Sequence, residues 1–221
     1  MKKIISIILI CSSINTFAQI DRDQLSLDIS KADAANTEQL KQFVWKRASV
    51  ATVDGVVKLN TLSEFSFDET GKLIAKNIDA ESTVKQKPGI RGAIQQNAAE
   101  DNLDYVQKAL QLSLDYTFMS KGELLDFFGK AEISEKDGVI EATAKDVKVK
   151  GDVVTMRVES STKLFLYKKF TSLLGTDPVS GEINYGKFSS GVSHGTTSIL
   201  NLPAKKAVIT SENKDYTIRI Q

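Results

Sequence analysis

The sequence predicts an α+β fold, in which a single curved antiparallel sheet of about ten strands has helices covering its apolar face. Two features of the chain lead to this prediction. From Phe43 onward, apolar residues mostly recur with a period of two, in runs separated by turn residues. Between two blocks of such runs, Ala98 to Gly129 shows the spacing of three and four that is typical of a helix face. A sandwich of two sheets is the alternative, but it would leave this wide apolar helix without a surface to cover.

Residues Ala98 to Met119 are predicted to form the longer of two helices in this segment. Its apolar stripe is so wide that the helix should be buried on several sides. Ser120 and Glu123 then match a capping box, which predicts a second, short helix from Leu124 to Phe128 that stops at Gly129. The two rows of the stripe are Leu103, Val106, Leu110, Leu114 and Phe118, and beside them Tyr105, Ala109, Leu112, Tyr116 and Met119.

The first residues of the chain have the pattern of a secretory signal peptide. Two lysines precede a short apolar run from Ile4 to Ile10, and Thr16-Phe17-Ala18 provides a cleavage site of the small-x-small type. The apolar run is too short to be a permanent membrane anchor. We therefore expect cleavage after Ala18, a single domain over residues 19–221 and a periplasmic or secreted location, with no transmembrane segment in the mature chain.

The composition excludes several kinds of chemistry. The predicted cleavage removes Cys11, the single cysteine, so the mature chain would have no disulfide, no thiolate metal site and no cysteine nucleophile. The formal net charge of the full chain is +1, which indicates neither nucleic acid nor an anionic membrane surface as a partner. His194 is the only histidine, which excludes zinc sites built from several histidines. No metal and no cofactor are expected.

The first block begins with a helix predicted from Asp28 to Gln42, and the sequence leaves open an interruption at Asn36-Thr37. Three strands of an antiparallel meander follow, and Asp54-Gly55 marks the first hairpin turn because glycine accepts a positive φ. Residues Lys85 to Asn97, which contain Pro88 and two glycines, are interpreted as a solvated loop. In the first strand, Trp45, Arg47 and Ser49 alternate with Val44, Ala48 and Val50.

The second block, after Gly129, is predicted to contain about seven strands joined by tight turns such as Asp137-Gly138. The run from Lys163 to Leu174 differs from the others because apolar side chains occupy both of its faces. A strand that is covered on both faces is expected at an interior position of the sheet.

Gly191-Val192-Ser193-His194-Gly195 matches the nucleophile motif of serine hydrolases. That motif requires a helix after the serine and a histidine later in the chain. Here a strand is predicted from Thr196 to Leu202, and His194 lies inside the motif itself. We therefore interpret the segment as a hairpin with glycines at its bends. No catalytic residue is assigned, and the chain is not expected to be an enzyme.

The stretch from Leu40 to Arg47, followed by the Asp54-Gly55 hairpin, resembles the periplasmic lipoprotein-carrier superfamily (LolA/LolB-like) and related secreted bacterial proteins. The order of a signal peptide, an N-terminal helix, a Trp-containing strand, a long meander and helices between two strand blocks is similar as well. This resemblance implies an open, half-barrel-like sheet around helices, with an apolar interior that can shelter acyl chains. It transfers no individual functional residue.

We therefore expect a non-enzymatic exported protein that binds or carries a lipid, or the acyl chains of a lipoprotein, between the sheet and the helix pair. The alternative is a module that binds another envelope protein and has a fully packed core without a ligand. A continuous apolar cavity beside the helices would distinguish the two. The residues predicted to line such a cavity are Phe65, Phe67, Leu110, Phe118, Leu125 and Phe128.

Overall fold

The computed structural model describes residues 21–82 and 90–219, and for residues 80–82 and 90–103 it defines the backbone alone. The predicted signal peptide, its cleavage site and residues 85–89 of the predicted loop lie outside the described residues. The α-helices of the described part are α1 (Arg22–Leu40), α2 (Ile90–Thr117) and α3 (Lys121–Lys130). Its strands are β1 (Phe43–Val53), β2 (Val56–Phe67), β3 (Leu73–Ser82), β4 (Glu132–Lys136), β5 (Val139–Lys145), β6 (Val153–Glu159), β7 (Phe165–Leu174), β8 (Asp177–Lys187), β9 (Ser193–Leu202) and β10 (Ala207–Ile218).

All of these strands belong to one open antiparallel sheet of 10 strands, in the order β3-β2-β1-β10-β9-β8-β7-β6-β5-β4. The predicted α+β class with a single half-barrel-like sheet is therefore confirmed, and the two-sheet sandwich is excluded. The edges of the sheet are β3 and β4, and the chain between them forms α2 and α3. The helix pair therefore has to cross the sheet from one edge to the other.

The tight turns form as predicted. Asp54-Gly55 joins β1 to β2, and Asp137-Gly138 joins β4 to β5. The two aspartates have φ values of 50° and 51°, and the two glycines have values of 74° and 76°. Two successive residues in the left-handed region give a hairpin turn whose twist matches that of the flanking strands.

The main core lies on the face of the sheet that the helices cover. Its largest fully buried side chains include Phe127 and Phe128 from α3, Ile29 from α1 and Met156 from β6. The rings of Phe127 and Phe128 meet edge-on, with their centroids 5.0 Å apart. Each side chain of this size contributes about 1.5–3 kcal/mol through burial. A second, smaller cluster consists of Leu40, Trp45, Phe65, Phe67 and Val192.

The run predicted to be an interior strand is β7, and it lies between β6 and β8 as expected. On the helix-covered side, Phe165, Lys168 and Phe170 are buried, whereas Leu166 and Tyr167 are only half-buried. The expectation that both faces are covered is therefore too strong. Within the described residues, helices cover one face of the sheet, and the apolar side chains of Leu166 and Tyr167 stay partly accessible.

Helix α1 begins at Arg22 and not at the predicted Asp28. The reason is a cap that the apolar pattern does not reveal: the carboxylate of Asp21 accepts a hydrogen bond from the backbone N–H of Gln24 at 3.0 Å. Such a cap satisfies one of the free N–H groups at the start of a helix and stabilises it by about 1 kcal/mol.

The interruption left open at Asn36-Thr37 does not occur. The side-chain Nδ2 of Asn36 donates to the carbonyl of Ser193 at 2.9 Å, and its Oδ1 accepts from the N–H of Ser193 at 2.6 Å. An asparagine disfavours helix when its side chain competes for its own backbone. Here the side chain is occupied by a distant strand, so the helix continues to Leu40.

Helix α2 begins at Ile90, so the interpretation of Ile90 to Asn97 as loop is wrong. Gly92 costs this part of the helix about 1 kcal/mol relative to alanine, which a helix of 28 residues tolerates. The helix ends at Thr117, just before the predicted end at Met119.

The capping box at the start of α3 is confirmed. The hydroxyl of Ser120 accepts from the N–H of Glu123 at 3.3 Å, and the carboxylate of Glu123 accepts from the N–H of Ser120 at 2.6 Å. The helix then runs to Lys130, passing through Gly129, where its end was predicted. The buried rings of Phe127 and Phe128 hold the last turn in place, and tertiary packing outweighs the preference of glycine for a helix end.

Asp152 connects the end of α2 to the loop between β5 and β6. Its fully buried carboxylate accepts a hydrogen bond from the hydroxyl of Tyr116 at 2.5 Å. It also accepts from the backbone N–H groups of Val147, Lys148 and Val149 at 2.6, 2.9 and 3.0 Å. Burial by itself would raise the pKa of Asp152, but the hydrogen bonds from Tyr116 and from the backbone outweigh it, and the pKa lies below its ordinary value.

Replacing this carboxylate should destabilise the fold. We expect Asp152→Ala to lower the free energy of unfolding by at least about 3 kcal/mol, because the Tyr116 hydroxyl and buried N–H groups lose their acceptor. Urea unfolding at pH 7 measures the change. The control is Asp126→Ala, whose exposed carboxylate pairs with Lys130 at 2.9 Å and should contribute less than about 0.5 kcal/mol.

The pH dependence provides a second readout for the same variant. Because the pKa of Asp152 is lowered on folding, its contribution is present at neutral pH and is lost as the pH falls through the folded-state pKa, below the ordinary value of 3.8. The wild type should therefore lose more stability on acidification than Asp152→Ala does. Two results would contradict this role: a decrease in the free energy of unfolding at pH 7 that is no larger for Asp152→Ala than for Asp126→Ala, or an equal loss of stability on acidification for the wild type and Asp152→Ala.

Candidate functional site

A cavity of about 390 Å³ opens between the sheet and the C-terminal halves of α1 and α2. Small-molecule sites typically have volumes of about 300–1,000 Å³. The aromatic and aliphatic residues of its wall are Leu40, Trp45, Phe67, Leu73, Leu114, Phe118, Met119, Ile183, Tyr185 and Tyr216. The polar wall residues are Asp33, Asn36, Thr37, Arg47, Lys72, Gln111, Asp115, Thr117, Lys168, Ser193, His194 and Asn213.

Aromatic rings form much of the apolar wall. Trp45 stacks on Phe65 and on Tyr216, with centroid distances of 5.9 and 5.5 Å. Phe67 lies 5.9 Å from Trp45 on one side and meets Phe118 edge-on at 6.4 Å on the other. Such rings offer large apolar surfaces with few rotatable bonds. This part of the cavity therefore suits a hydrocarbon ligand.

Phe118 is the exposed ring of this wall. It directly follows α2, where its backbone N–H donates to the carbonyl of Leu114 at 2.8 Å. Its side chain is 43% exposed, although Phe67 touches its edge. A hydrocarbon in the cavity would cover this ring and remove its apolar surface from water.

Two of the residues predicted to line a cavity do line this one: Phe67 and Phe118. Phe65 is one ring removed from it, in contact with Trp45. The other predicted residues lie away from the cavity, with Leu110 exposed on α2, Leu125 half-buried on α3 and Phe128 fully buried in the main core. Contact of any of them with a ligand stays a prediction.

Sequence reasoning missed the charged residues of the cavity, above all Arg47 and Lys168. The sequence did contain a signal for both. Alternation along β1 places Arg47 on the same face as Trp45, and alternation along β7 places Lys168 on the same face as Phe170. A charged residue in phase with buried aromatic residues faces the interior of the sheet, where it needs a partner.

Lys168 has its partners within the chain. Its side chain is 5% exposed, and its ammonium group donates to the carbonyl of Thr117 at 2.7 Å and lies 3.8 Å above the ring of Phe165. Burial lowers the pKa of Lys168 to about 8, although the negative charge of Asp33 acts in the opposite direction. Burial likewise raises the pKa of Asp33, and Lys168 opposes that shift. The two groups thus compensate each other's charge.

Arg47 is positioned by neutral groups. Its Nε donates to the side-chain oxygen of Asn213 at 2.8 Å, and its guanidinium lies 4.7 Å above the ring of Phe65. Asn213 is itself oriented by Gly195, whose carbonyl accepts from Asn213 Nδ2 at 3.0 Å and from the hydroxyl of Tyr216 at 2.7 Å. Burial lowers the pKa of Arg47. The ion pairs found among the described residues do not include Arg47.

The serine-hydrolase match does not form a nucleophile site. Ser193 begins strand β9 and is buried, with its backbone bonded to Asn36 and its hydroxyl 3.5 Å from the carbonyl of Phe165. His194 stacks on Phe188 at 4.0 Å, and its Nδ1 lies 3.3 Å from the carbonyl of Gly195. Burial lowers the pKa of His194. The interpretation as a hairpin followed by a strand is confirmed.

Two further findings concern the described part of the chain. Its histidine, aspartate and glutamate side chains nowhere form a group of three that could bind a metal ion. None of its helices combines the length and the apolar character that a membrane span requires.

Lys168 should give the stability of the protein a measurable pH dependence. The unfolded chain keeps the lysine proton up to about pH 10.5, whereas the folded chain releases it near pH 8, so between these values the unfolded state binds more protons. From pH 8 to 10.5 the free energy of unfolding of the wild type should therefore rise relative to that of Lys168→Met, by an amount on the order of 2–3 kcal/mol.

Urea unfolding of the two proteins across this pH range measures the difference. Lys169→Met is the matched control, because the neighbouring Lys169 is exposed on the same strand and its removal should leave the pH profile of the wild type unchanged. Parallel profiles for the wild type and Lys168→Met would contradict the assignment of Lys168 as a buried cation.

Among solved structures, the chain is similar to a DUF1329 family protein from Desulfovibrio piger, with a TM-score of 0.41, 10% sequence identity, and coverage of 90% of this chain and 92% of that chain. It is also similar to a LolA superfamily protein from Nitrosomonas europaea, with a TM-score of 0.35, 13% identity, and coverage of 85% and 94%. No family model and no curated protein sequence matches the chain. The second of these proteins is described as a LolA superfamily protein, the superfamily that the stretch from Leu40 to Arg47 resembles.

Proposed function

We propose that this protein is a non-enzymatic carrier of the cell envelope that binds an acyl chain, from a lipid or a lipoprotein, in the cavity beside α2. One observation carries the proposal: a cavity of about 390 Å³ has a wall of aromatic rings in mutual contact, and one of these rings, Phe118, is 43% exposed. An acyl chain is the ligand that gains most from such a wall, since it has only apolar surface to bury.

The energetics of burial support an acyl chain. Each methylene group that leaves water contributes about 0.8 kcal/mol, so a few methylenes against Trp45, Phe67 and Phe118 would offset several kcal/mol of the cost of association. The rings of Trp45 and Phe67 are already fixed by their neighbours. Little side-chain entropy would be lost on binding, and the apolar wall would need no rearrangement.

The envelope location rests on the pattern of the first residues, with Lys2 and Lys3, the apolar run from Ile4 to Ile10 and the small residues before Gln19. A carrier at this location would shelter a chain from water between two membranes or at one membrane surface. The cavity lies at the C-terminal ends of α1 and α2 and borders the main core through Met119, whereas Phe127 and Phe128 do not line it.

The alternative function, binding of another envelope protein, has one observation in its favour. Strand β3 is an edge of the sheet, and its Ile74 and Ile78 are 45% and 49% exposed. An edge strand with apolar side chains can pair with a strand of another chain. However, the sequence analysis expects a fully packed core for a protein-binding module, and the cavity at the end of α2 does not fit that expectation.

A charged group at Phe118 should abolish chain binding. We expect Phe118→Asp to weaken uptake of a fluorescent fatty acid by at least about tenfold, because a carboxylate replaces the ring that would cover the hydrocarbon. Leu173→Asp is the matched control: Leu173 is 39% exposed, similar to Phe118, but does not line the cavity. The fluorescence increase of the probe on titration with each protein gives the affinity.

Thermal unfolding of both variants checks that they remain folded, as the exposure of both side chains leads us to expect. Equal affinities for the wild type, Phe118→Asp and Leu173→Asp would place the probe elsewhere on the protein. A wild type that takes up no fatty acid would overturn the carrier function, and crosslinking from β3 would then test for a protein partner.

A further inference from the structure

Lys168 and Arg47, two cationic residues of the cavity, differ in the groups that surround their charges. Lys168 donates to the carbonyl of Thr117 and is compensated by the charge of Asp33. Arg47 lines the same cavity together with Tyr216 and Tyr185, and its Nε donates to the neutral side-chain amide of Asn213. Burial raises the pKa of both tyrosines, which are therefore neutral at physiological pH. Among the described residues, no carboxylate lies within ion-pair distance of the Arg47 guanidinium.

A second arginine of the same protein shows what a compensated site looks like. Arg157 also lies on a strand, with its guanidinium 5.4 Å above the ring of Tyr167, and its Nε donates to the carboxylate of Glu141 at 2.7 Å. Arg47 has the same arrangement over Phe65, but the acceptor of its Nε is the neutral amide of Asn213. Arg157 therefore donates to a carboxylate, whereas Arg47, in the same position over an aromatic ring, donates to a neutral amide.

Hydrogen-bonding capacity at this end of the cavity is also unbalanced. An arginine has five N–H donors, and the contacts within the described residues use one of them at Arg47, its Nε. The indole N–H of Trp45, two residues earlier on the same face of β1, is buried and has no acceptor among the described residues. The nearby carbonyl of Gly195 already accepts from Asn213 and Tyr216. At Arg47 and Trp45, N–H donors therefore remain without an acceptor among the described residues.

We propose that the cavity binds an anionic amphiphile, whose carboxylate or phosphate group is bound by the guanidinium of Arg47 while its chain lies against the aromatic wall. This inference rests on the proposed function and adds the chemistry of the head group. The planar guanidinium fork matches the oxygens of either anion, and such charge-assisted bonds are about twice as strong as neutral ones. Arg47 and Trp45 are about 7 Å apart along β1, so head group and chain would be bound side by side.

The test compares three ligands that share one chain and differ in the head group: hexadecanoate, hexadecyl phosphate and hexadecan-1-ol. Their affinities are measured at pH 7.5, below the concentrations at which they form micelles, by displacement of the fluorescent fatty acid from the full-length mature protein. The wild type should bind at least one of the two anions about tenfold or more tightly than the alcohol. A preference between the anions tells a fatty acid from a phospholipid head group.

Arg47→Gln should reduce the affinity for the anions by about tenfold or more, to that of the alcohol, and leave the affinity for the alcohol unchanged. Arg157→Gln removes a strand arginine above an aromatic ring outside the cavity and should behave as the wild type. This pattern separates recognition of the charge from a structural effect, which would weaken all three ligands together.

Three results would overturn the inference. Equal affinities of the wild type for the anions and the alcohol would show that the protein does not recognise the charge of the head group. An equal loss of affinity for all three ligands in Arg47→Gln would assign Arg47 a structural role. Either result leaves the carrier function standing. Failure of the wild type to bind any of the three would overturn the carrier function and the head-group inference with it.

Discussion

The way in which the chain connects the two edges of its sheet decides where this protein has a cavity. Because β3 and β4 are the edges, α2 and α3 must cross the sheet to join them. Two contacts fix the end of α2: the hydroxyl of Tyr116 donates to the buried Asp152, and the carbonyl of Thr117 accepts from the buried Lys168. With the helix anchored and ended there, Phe118 lies beside the cavity, where its ring meets the edge of Phe67 at the end of β2. The contacts that stabilise the fold therefore also define the cavity.

The charged residues of the cavity differ in whether another group of the chain compensates their charge. Lys168 and Asp33 compensate each other, and Lys168 in addition satisfies the last turn of α2, so this pair belongs to the fold. Arg47 is also held in one orientation, by the hydrogen bond to Asn213 and by the ring of Phe65, but neither of these groups carries a negative charge. Burial of an unpaired charge destabilises the folded protein, and a bound anion would remove this cost. Such an uncompensated charge is what we expect of a binding site that is formed before its ligand binds. An amphiphile would meet both the aromatic wall and this charge.

Local signals in the sequence were sufficient for most of the architecture. Hairpins such as Asp54-Gly55 and the capping box depend on neighbouring residues, and both formed as predicted. Features that depend on distant contacts were missed: α1 continues through Asn36 because of Ser193, 157 residues away. In the cavity, Phe118 could be predicted because its helical phase is a local signal. Arg47 was missed because its partner Asn213 lies 166 residues away in the sequence. From the local sequence alone, a charged residue is predicted to be exposed to solvent. Only the tertiary structure shows the partner that allows it to lie inside.

Native mass spectrometry of the protein, purified without detergent from the cells that produce it, tests most directly whether the cavity carries an amphiphile. We predict a population heavier than the chain by the mass of one lipid or acylated molecule, and solvent extraction should recover an acidic species in equal amount. Protein that shows only the mass of the bare chain, with no lipid recovered by extraction, would contradict the assignment of this cavity as a carrier site.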